Sequence, residues 1–342
     1  MRIGIANDMP IAAELLRRVV ASVPEHRVVW VAADGQEAVD NCRYQLPDLV
    51  LMDINMPNMD GVEATRRIMA ETPCAILLVI ASVDANVTGV YDAMGHGAID
   101  AVDLPNVGIG ADLSTQASRL LTKIAIIGTL LGEGRGQRSR PSSPPAPEEA
   151  GGAARRLVAI GASAGGPAAV AKVLSGLPAD FTAALVLVQH IDEKFVPGLC
   201  QWLGQHTPIR VTAAVTGGRP ERGMVHVASS ADHLVLLEDG TFAYTPEPRS
   251  LPYRPSVDLF YQSLERHWHG ELIAVLLSGM GRDGAQGLKA LRDAGHLTLA
   301  QDKGSSAVYG MPKAAAALDA AVEVLPLEHI AGRLLGVFGR SD

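Results

Sequence analysis

Leu157–Gly166 reads LVAIGASAGG. An apolar, β-branched run ends at Gly161, Ser163 follows two residues later, and Gly165-Gly166-Pro167 comes next. This is the pattern of a buried strand entering a tight turn, with Pro167 in a first helical turn. A Ser so placed is lifted out of a sheet on an elbow, with a helix N-terminus beside it. Gly161 and Gly165 supply the backbone freedom and close approach that the elbow needs. Three readings are open from the motif alone: a nucleophilic Ser of the G-x-S-x-G kind, a phosphate-cradling turn, or a plain connection between strand and helix.

The chain around this stretch has 342 residues, enough for two domains at about 150 residues each. Apolar residues make up 48% and charged residues 19%, which fits packed domains and excludes a disordered chain. A net charge of −8 argues against a nucleic-acid binder that works by neutralising phosphates. Cys42, Cys74 and Cys200 form no CxxC pair and no disulfide framework, as expected in a reducing compartment. MRIGIANDMP at the start lacks an apolar signal core. The greasiest segment, Leu120–Leu131, is short and carries Lys123, so it is too short and too polar to be inserted in a membrane. The expectation is a cytoplasmic protein.

Upstream of the elbow, apolar runs at Arg2–Ala6, Arg27–Ala32, Leu49–Met52, Ile76–Ile80 and Ala98–Val102 read as strands. Helical patterns at Ile11–Ala21, Gln36–Tyr44, Val62–Ala70, Asn86–Met94 and from about Asp112 separate them. Five β-α repeats predict a parallel, doubly wound sheet over residues 1–127, with ligands at the carboxyl ends of its strands. Asn7-Asp8 and Asp53 fall at those ends. Residues 128–156 are rich in Gly, Pro, Ser and Arg without apolar period, and read as a flexible linker. From 157 to 342 the alternation resumes as a second α/β domain with a mostly parallel sheet. Met224–Ala228, Leu234–Leu237 and Phe242–Tyr244 read as a hairpin excursion before a helix around Val257–Trp268.

A Ser nucleophile needs a base, and the base needs an orienting acid. His190 follows the apolar strand Ala184–Val188. Asp283 lies in Gly279-Met280-Gly281-Arg282-Asp283-Gly284, after the apolar run Leu272–Leu277. Ser163, His190 and Asp283 thus end three strands of one sheet, and the loop at Met280 exposes backbone N–H groups for an oxyanion. The competing reading of Asp283 is an N-cap for the helix starting near Ala285. A dinucleotide turn is disfavoured: Ser163 replaces the central glycine of G-x-G-x-x-G, and Thr182–Ile191 holds no acid. The chain order Ser, His, Asp also differs from the Ser, Asp/Glu, His order of α/β-hydrolases.

Two resemblances follow from longer motifs. VLMDINMPNMDGVEATRRI, residues 50–68, resembles response-regulator receivers. The resemblance implies Asp53 as phospho-acceptor and Asp8, Asp53 and the Asn55 carbonyl as ligands of Mg²⁺. Receivers usually carry two acids after strand one, whereas here Asn7 precedes Asp8. Leu104 stands where a lysine is usual before Pro105, and Ser82 is the substitute for a hydroxyl residue expected near Ile80. GASAGG, VLVQHI, YRPSVD, LLSGMGRDGAQGL and AQDKGSSAVYGMPKAA resemble the CheB-type protein-glutamate methylesterases of chemotaxis. That resemblance implies Ser163 as nucleophile, His190 as base, Asp283 as its orienter and the Met280 N–H as oxyanion donor. It implies hydrolysis of glutamate methyl esters and deamidation of glutamine on a methylated chemoreceptor, with a CheA-type histidine kinase as phosphoryl donor and no cofactor for the esterase. IANDMP and AMGHGAIDAVDLP resemble the Wsp-type surface-sensing subgroup. The alternative is a phosphate-dependent binding regulator, or a phosphate sink, with little catalytic role.

Overall fold

A computed structural model describes residues 1–80, 87–105, 113–132, 156–251 and 253–339. Ser82 and residues 133–155 of the expected linker lie outside them. The chain divides into two compact units, Met1–Arg135 and Gly136–Asp342.

The first unit runs β1 (Arg2–Ala6), α1 (Pro10–Ala21), β2 (Arg27–Ala32), α2 (Gly35–Tyr44), β3 (Leu49–Met52), α3 (Gly61–Glu71), β4 (Ala75–Ile80), α4 (Val87–Gly95), β5 (Asp100–Asp103) and α5 (Leu113–Gly132). Its sheet has the order β2-β1-β3-β4-β5, with every pairing parallel. The central strands β3 and β4 are buried along their whole length, which their unbroken apolar sequences LVLM and AILLVI demand. Asp34 and Asp60 start α2 and α3 by accepting the Glu37 and Glu63 N–H groups. Two boundaries differ from the sequence reading by more than one residue. β5 begins two residues later than Ala98, because Ala98 N–H still bonds back to Ala93 and Gly97 turns the chain at φ 112°. Helix α5 continues to Gly132 instead of ending where the linker composition begins.

The second unit runs β6 (Arg156–Ala162), α6 (Gly166–Ser175), β7 (Ala184–Gln189), α7 (Val196–His206), β8 (Arg210–Ala213), β9 (Met224–Val227), β10 (His233–Leu236), β11 (Phe242–Thr245), α8 (Val257–His267), β12 (Glu271–Leu276), α9 (Ala285–Asp293), β13 (Leu297–Gln301), α10 (Met311–Ala317), β14 (Glu323–Leu325) and α11 (Leu327–Phe338). The sheet order is β14-β13-β12-β6-β7-β9-β8, and again every pairing is parallel. The expected hairpin excursion is corrected in one respect. Only β10 and β11 pair antiparallel, as a separate ribbon, while β9 joins the main sheet between β7 and β8. Short strands with mixed burial carry too little periodicity to tell sheet from ribbon.

The core of this unit gathers β6, β7 and β12 residues such as Leu157, Val186 and Leu276 against Val257, Phe260, Tyr261 and Leu264 of α8. From β6 the chain builds outward through β7, then returns past β6 to lay down β12. The connections at β6 and β12 therefore leave in opposite directions, and a crevice opens between their carboxyl ends.

Candidate active site

Three chain segments meet at that crevice. The register pairing Ala162 with Gln189 makes Ser163 and His190 the next residues on adjacent strands. His190 N–H bonds the Ala162 carbonyl at 3.0 Å, and Ser163 N–H bonds the Ser278 carbonyl at 3.0 Å. The elbow forms as its glycines require: Gly165 sits at φ 70° and is the N-cap of α6. On the β12 side, a Cβ added to Gly279 would lie 2.9 Å from the Ser163 Cβ and 2.2 Å from the Met311 Sδ. Met311 is flexible, but the Ser163 backbone is fixed by its own hydrogen bond. Gly279→Ala is therefore expected to displace Ser163, lowering any turnover that depends on it by about a hundredfold and stability by about 1–3 kcal/mol. Turnover at native rate, with a native melting curve, would remove this contact from the account.

Ser163, buried at 8% exposure, has a hydroxyl with no hydrogen-bond partner among the described residues. His190 Nε2–H donates to Asp283 Oδ2 at 2.8 Å, with each side chain 8% exposed. The other ring nitrogen, Nδ1, is buried without a partner among the described residues. With Nε2 committed to the acid, the lone pair sits on Nδ1. The ring also stacks on Tyr253, with centroids 4.6 Å apart and planes 2° from parallel.

Asp283 does not cap α9, whose N-cap is Gly284 with no side-chain bond. It caps α8 instead. Its Oδ1 accepts the Ser256 hydroxyl at 2.8 Å and the Asp258 N–H at 3.1 Å, and Oδ2 accepts the Val257 N–H at 2.7 Å. His233, fully buried, accepts the Ser256 N–H on its Nδ1 and fixes the cap from behind. Burial works against the charge on Asp283, but the bonds from His190, Val257 and Ser256 outweigh it and hold its pKa below the ordinary value. Neighbouring Asp258 goes the other way. Burial, followed by the charge of Asp283 and opposed by the Gly287 N–H, pushes it to about 6. A cleft of about 410 Å³ borders these groups, lined by Tyr253, Ser256, Asp258, Arg282 and Asp283 among others.

The Met280 N–H has no partner among the described residues, and neither has the Ala164 N–H. The Met280 N–H, the oxyanion donor expected from the sequence, is thus left available to donate. Ala164 was not singled out there, although the residue after an elbow Ser is a general place for such a donor. Ser278 ties the donors together: its hydroxyl donates to the Ala164 carbonyl at 2.8 Å and accepts the Val308 N–H at 2.9 Å. Its own N–H donates to Gln301 Oε1 at 2.7 Å.

In the first unit, Asp53 is 7% exposed at the end of β3. Its Oδ1 accepts the Ile54 N–H at 2.7 Å, and its Oδ2 accepts the Asn7 amide at 3.0 Å. Asn7 is itself anchored, its Oδ1 accepting the Met9 N–H at 2.9 Å. Burial raises the Asp53 pKa; the Ile54 and Asn55 N–H groups counter it, and the Asp8 charge adds to the rise. No lysine or arginine bonds Asp53 among the described residues. Leu104 directly follows β5, its N–H on the Ile80 carbonyl.

Comparison with known proteins agrees with both halves. Residues 158–334 match the CheB methylesterase family, and residues 3–106 match the response regulator receiver domain. A protein-glutamate methylesterase/protein-glutamine glutaminase of Mesorhizobium japonicum is 59% identical over 100% of both chains. One of Pseudomonas aeruginosa is 55% identical over 99% of this chain and 100% of its own. Among solved structures, the CheB methylesterase catalytic domain of Thermotoga maritima superposes with a TM-score of 0.52 at 31% identity, over 54% of this chain and 98% of that one. With a full-length relative at this identity, the chain belongs to the CheB family of protein-glutamate methylesterases.

Proposed function

We propose that this protein hydrolyses glutamate methyl esters, and deamidates glutamines, on a chemoreceptor. The observation that carries the reading is a buried His190 bonded through Nε2 to a charged Asp283, with Nδ1 unpaired one strand from an unpaired Ser163 hydroxyl. The hydroxyl rotates onto Nδ1 and gives up its proton as Oγ attacks the ester carbonyl. The oxyanion receives the Met280 and Ala164 N–H groups. The C–O bond then breaks, the methoxide takes the proton from His190, and methanol leaves. Water, deprotonated by the same nitrogen, frees the glutamate and restores Ser163. With a glutamine, ammonia leaves in the same step. Asp283 stays ionised throughout and pairs with the imidazolium. The test is methanol release from methyl-labelled receptor membranes. None above the buffer rate would overturn the reading.

Asp53 is the phospho-acceptor in this reading, with a CheA-type histidine kinase as donor. Asp8, Asp53 and the Asn55 carbonyl offer the hard oxygen donors that Mg²⁺ prefers. Burial, with the Asp8 charge adding to it, raises the Asp53 pKa, so a cation beside it would favour the ionised form. Bound Mg²⁺ would supply that positive charge and neutralise the incoming phosphoryl oxygens. Asn7 gives the site one carboxylate fewer than most receivers, and its amide must leave Oδ2 before that oxygen attacks phosphorus.

Phosphorylation then opens the esterase to its substrate. Leu104 cannot hold the acyl phosphate as a lysine would, a bond to a charged group worth about 1.5–3 kcal/mol. Acetyl phosphate is therefore expected to raise methanol release modestly, and Leu104→Lys to enlarge that rise roughly tenfold. An unchanged response in Leu104→Lys would show that the missing cation does not limit gating. The residues IANDMP and AMGHGAIDAVDLP support a place in a Wsp-type surface-sensing pathway, and the protein works in the cytoplasm. No described helix is long and apolar enough to cross a membrane.

A further inference from the structure

We infer that Tyr253 is a positioning residue for the base, holding the His190 ring in plane and stabilising it in its protonated state. The ring centroids lie 4.6 Å apart with planes 2° from parallel, so the two rings meet face to face. His190 needs such a hold. Among the described residues its ring has one hydrogen-bonded atom, Nε2, and a single bond leaves it free to swing about that axis. A flat partner removes this freedom. It also places the electron-rich face of a phenol against the imidazole, which attracts the ring most when it carries a positive charge.

That charge exists only after the proton has left Ser163, so the attraction is stronger in the transition state than before it. Such an interaction raises kcat and leaves KM nearly unchanged. Tyr253 is well fixed for the task. It is half-buried, and a Cβ added to Gly281 would lie 2.7 Å from its hydroxyl. The phenol therefore leans on the loop that carries Met280. Ser256, three residues on, belongs to the cap that grips Asp283. One short segment thus reaches the base, its acid and the oxyanion loop.

The inference rests on His190 as the base, and the test separates the two. Methanol release is measured for Tyr253→Phe, Tyr253→Leu and a variant with pentafluorophenylalanine at 253, with His190→Gln alongside. Circular dichroism melting monitors the fold of each. Tyr253→Phe is expected to stay within about twofold of native. Tyr253→Leu is expected to lose about tenfold in kcat with KM unchanged, the scale of a desolvated cation–π contact. Pentafluorophenylalanine keeps the shape and inverts the ring's polarity, so it is expected to fall as far as leucine even if leucine disturbs the loop. Native kcat in the pentafluoro variant would overturn the electrostatic role. A loss in Tyr253→Phe equal to that in leucine, or a loss confined to KM, would overturn the stacking role altogether. An active His190→Gln would instead overturn the base assignment.

Discussion

Ser163→Ala is expected to reduce kcat for methyl-ester hydrolysis by about 10⁵–10⁶-fold, with a melting temperature close to native. The size follows from losing the nucleophile of a set that works as a unit. The small structural cost follows from the surroundings: the Ser163 hydroxyl has no hydrogen-bond partner among the described residues, while its N–H and carbonyl carry the local bonds. Alanine keeps both. The Gln189 amide still donates to the residue-163 carbonyl, and the elbow keeps its shape. The measurement is methanol released per mole of enzyme from labelled receptor membranes. If Ser163→Ala retained even a hundredth of native turnover, another group would be the nucleophile. If signalling in cells needed Asp53 but not Ser163, the protein would act as a phosphate-dependent binder.

Asp283→Asn is expected to cost about 10⁴-fold in kcat and, unlike the serine change, to destabilise the domain. Each carboxylate oxygen accepts two donors: Ser256 Oγ–H and Asp258 N–H on Oδ1, His190 Nε2–H and Val257 N–H on Oδ2. An asparagine amide must turn its NH₂ toward one of these pairs, so donors face donors. Turned toward His190, it forces the imidazole to accept at Nε2 and puts the proton on Nδ1, where no base remains. Turned toward Ser256, it loosens the start of α8. Because the native Asp283 pKa lies below its unfolded value, the stability it contributes is present above the ordinary aspartate pKa of about 3.9 and is lost as pH falls through the depressed native value. The gap in melting temperature between native and Asp283→Asn should be widest near neutral pH and close below about pH 4. A gap that does not change with pH would show that the carboxylate charge is not what holds the cap.

The meeting of Ser163, His190 and Asp283 was legible because each follows a strand whose apolar run is unmistakable, and parallel strands bring such ends to one edge. Which nitrogen of His190 faces the acid was not, since that depends on how the ring is held by Tyr253 and Asp283. Nor was the double duty of Asp283. Asp-Gly before a helical pattern reads as a cap for the helix that follows, and only tertiary contact directs the carboxylate to α8 instead. His233 was invisible for the same reason: its role is to accept one N–H from a loop 23 residues away. In the first unit, the parallel, doubly wound sheet followed from five β-α repeats, and the departures at Asn7 and Leu104 could be read letter by letter. That the Asn7 amide sits on Asp53 itself could not, because an amide can turn either way.

Ser278 has a wider consequence. Through one hydroxyl and one N–H it joins the Ala164 carbonyl, the Val308 N–H and the Gln301 side chain, so three loops of the catalytic edge are pinned at a single fully buried residue. Loops pinned at a common point are expected to travel together, keeping the spacing between the hydroxyl and the two unpaired N–H groups. Under the proposed gating, a regulator acting here would work as a door and not as a tuner: it would change how often a receptor side chain arrives, while the chemistry that awaits it keeps one geometry.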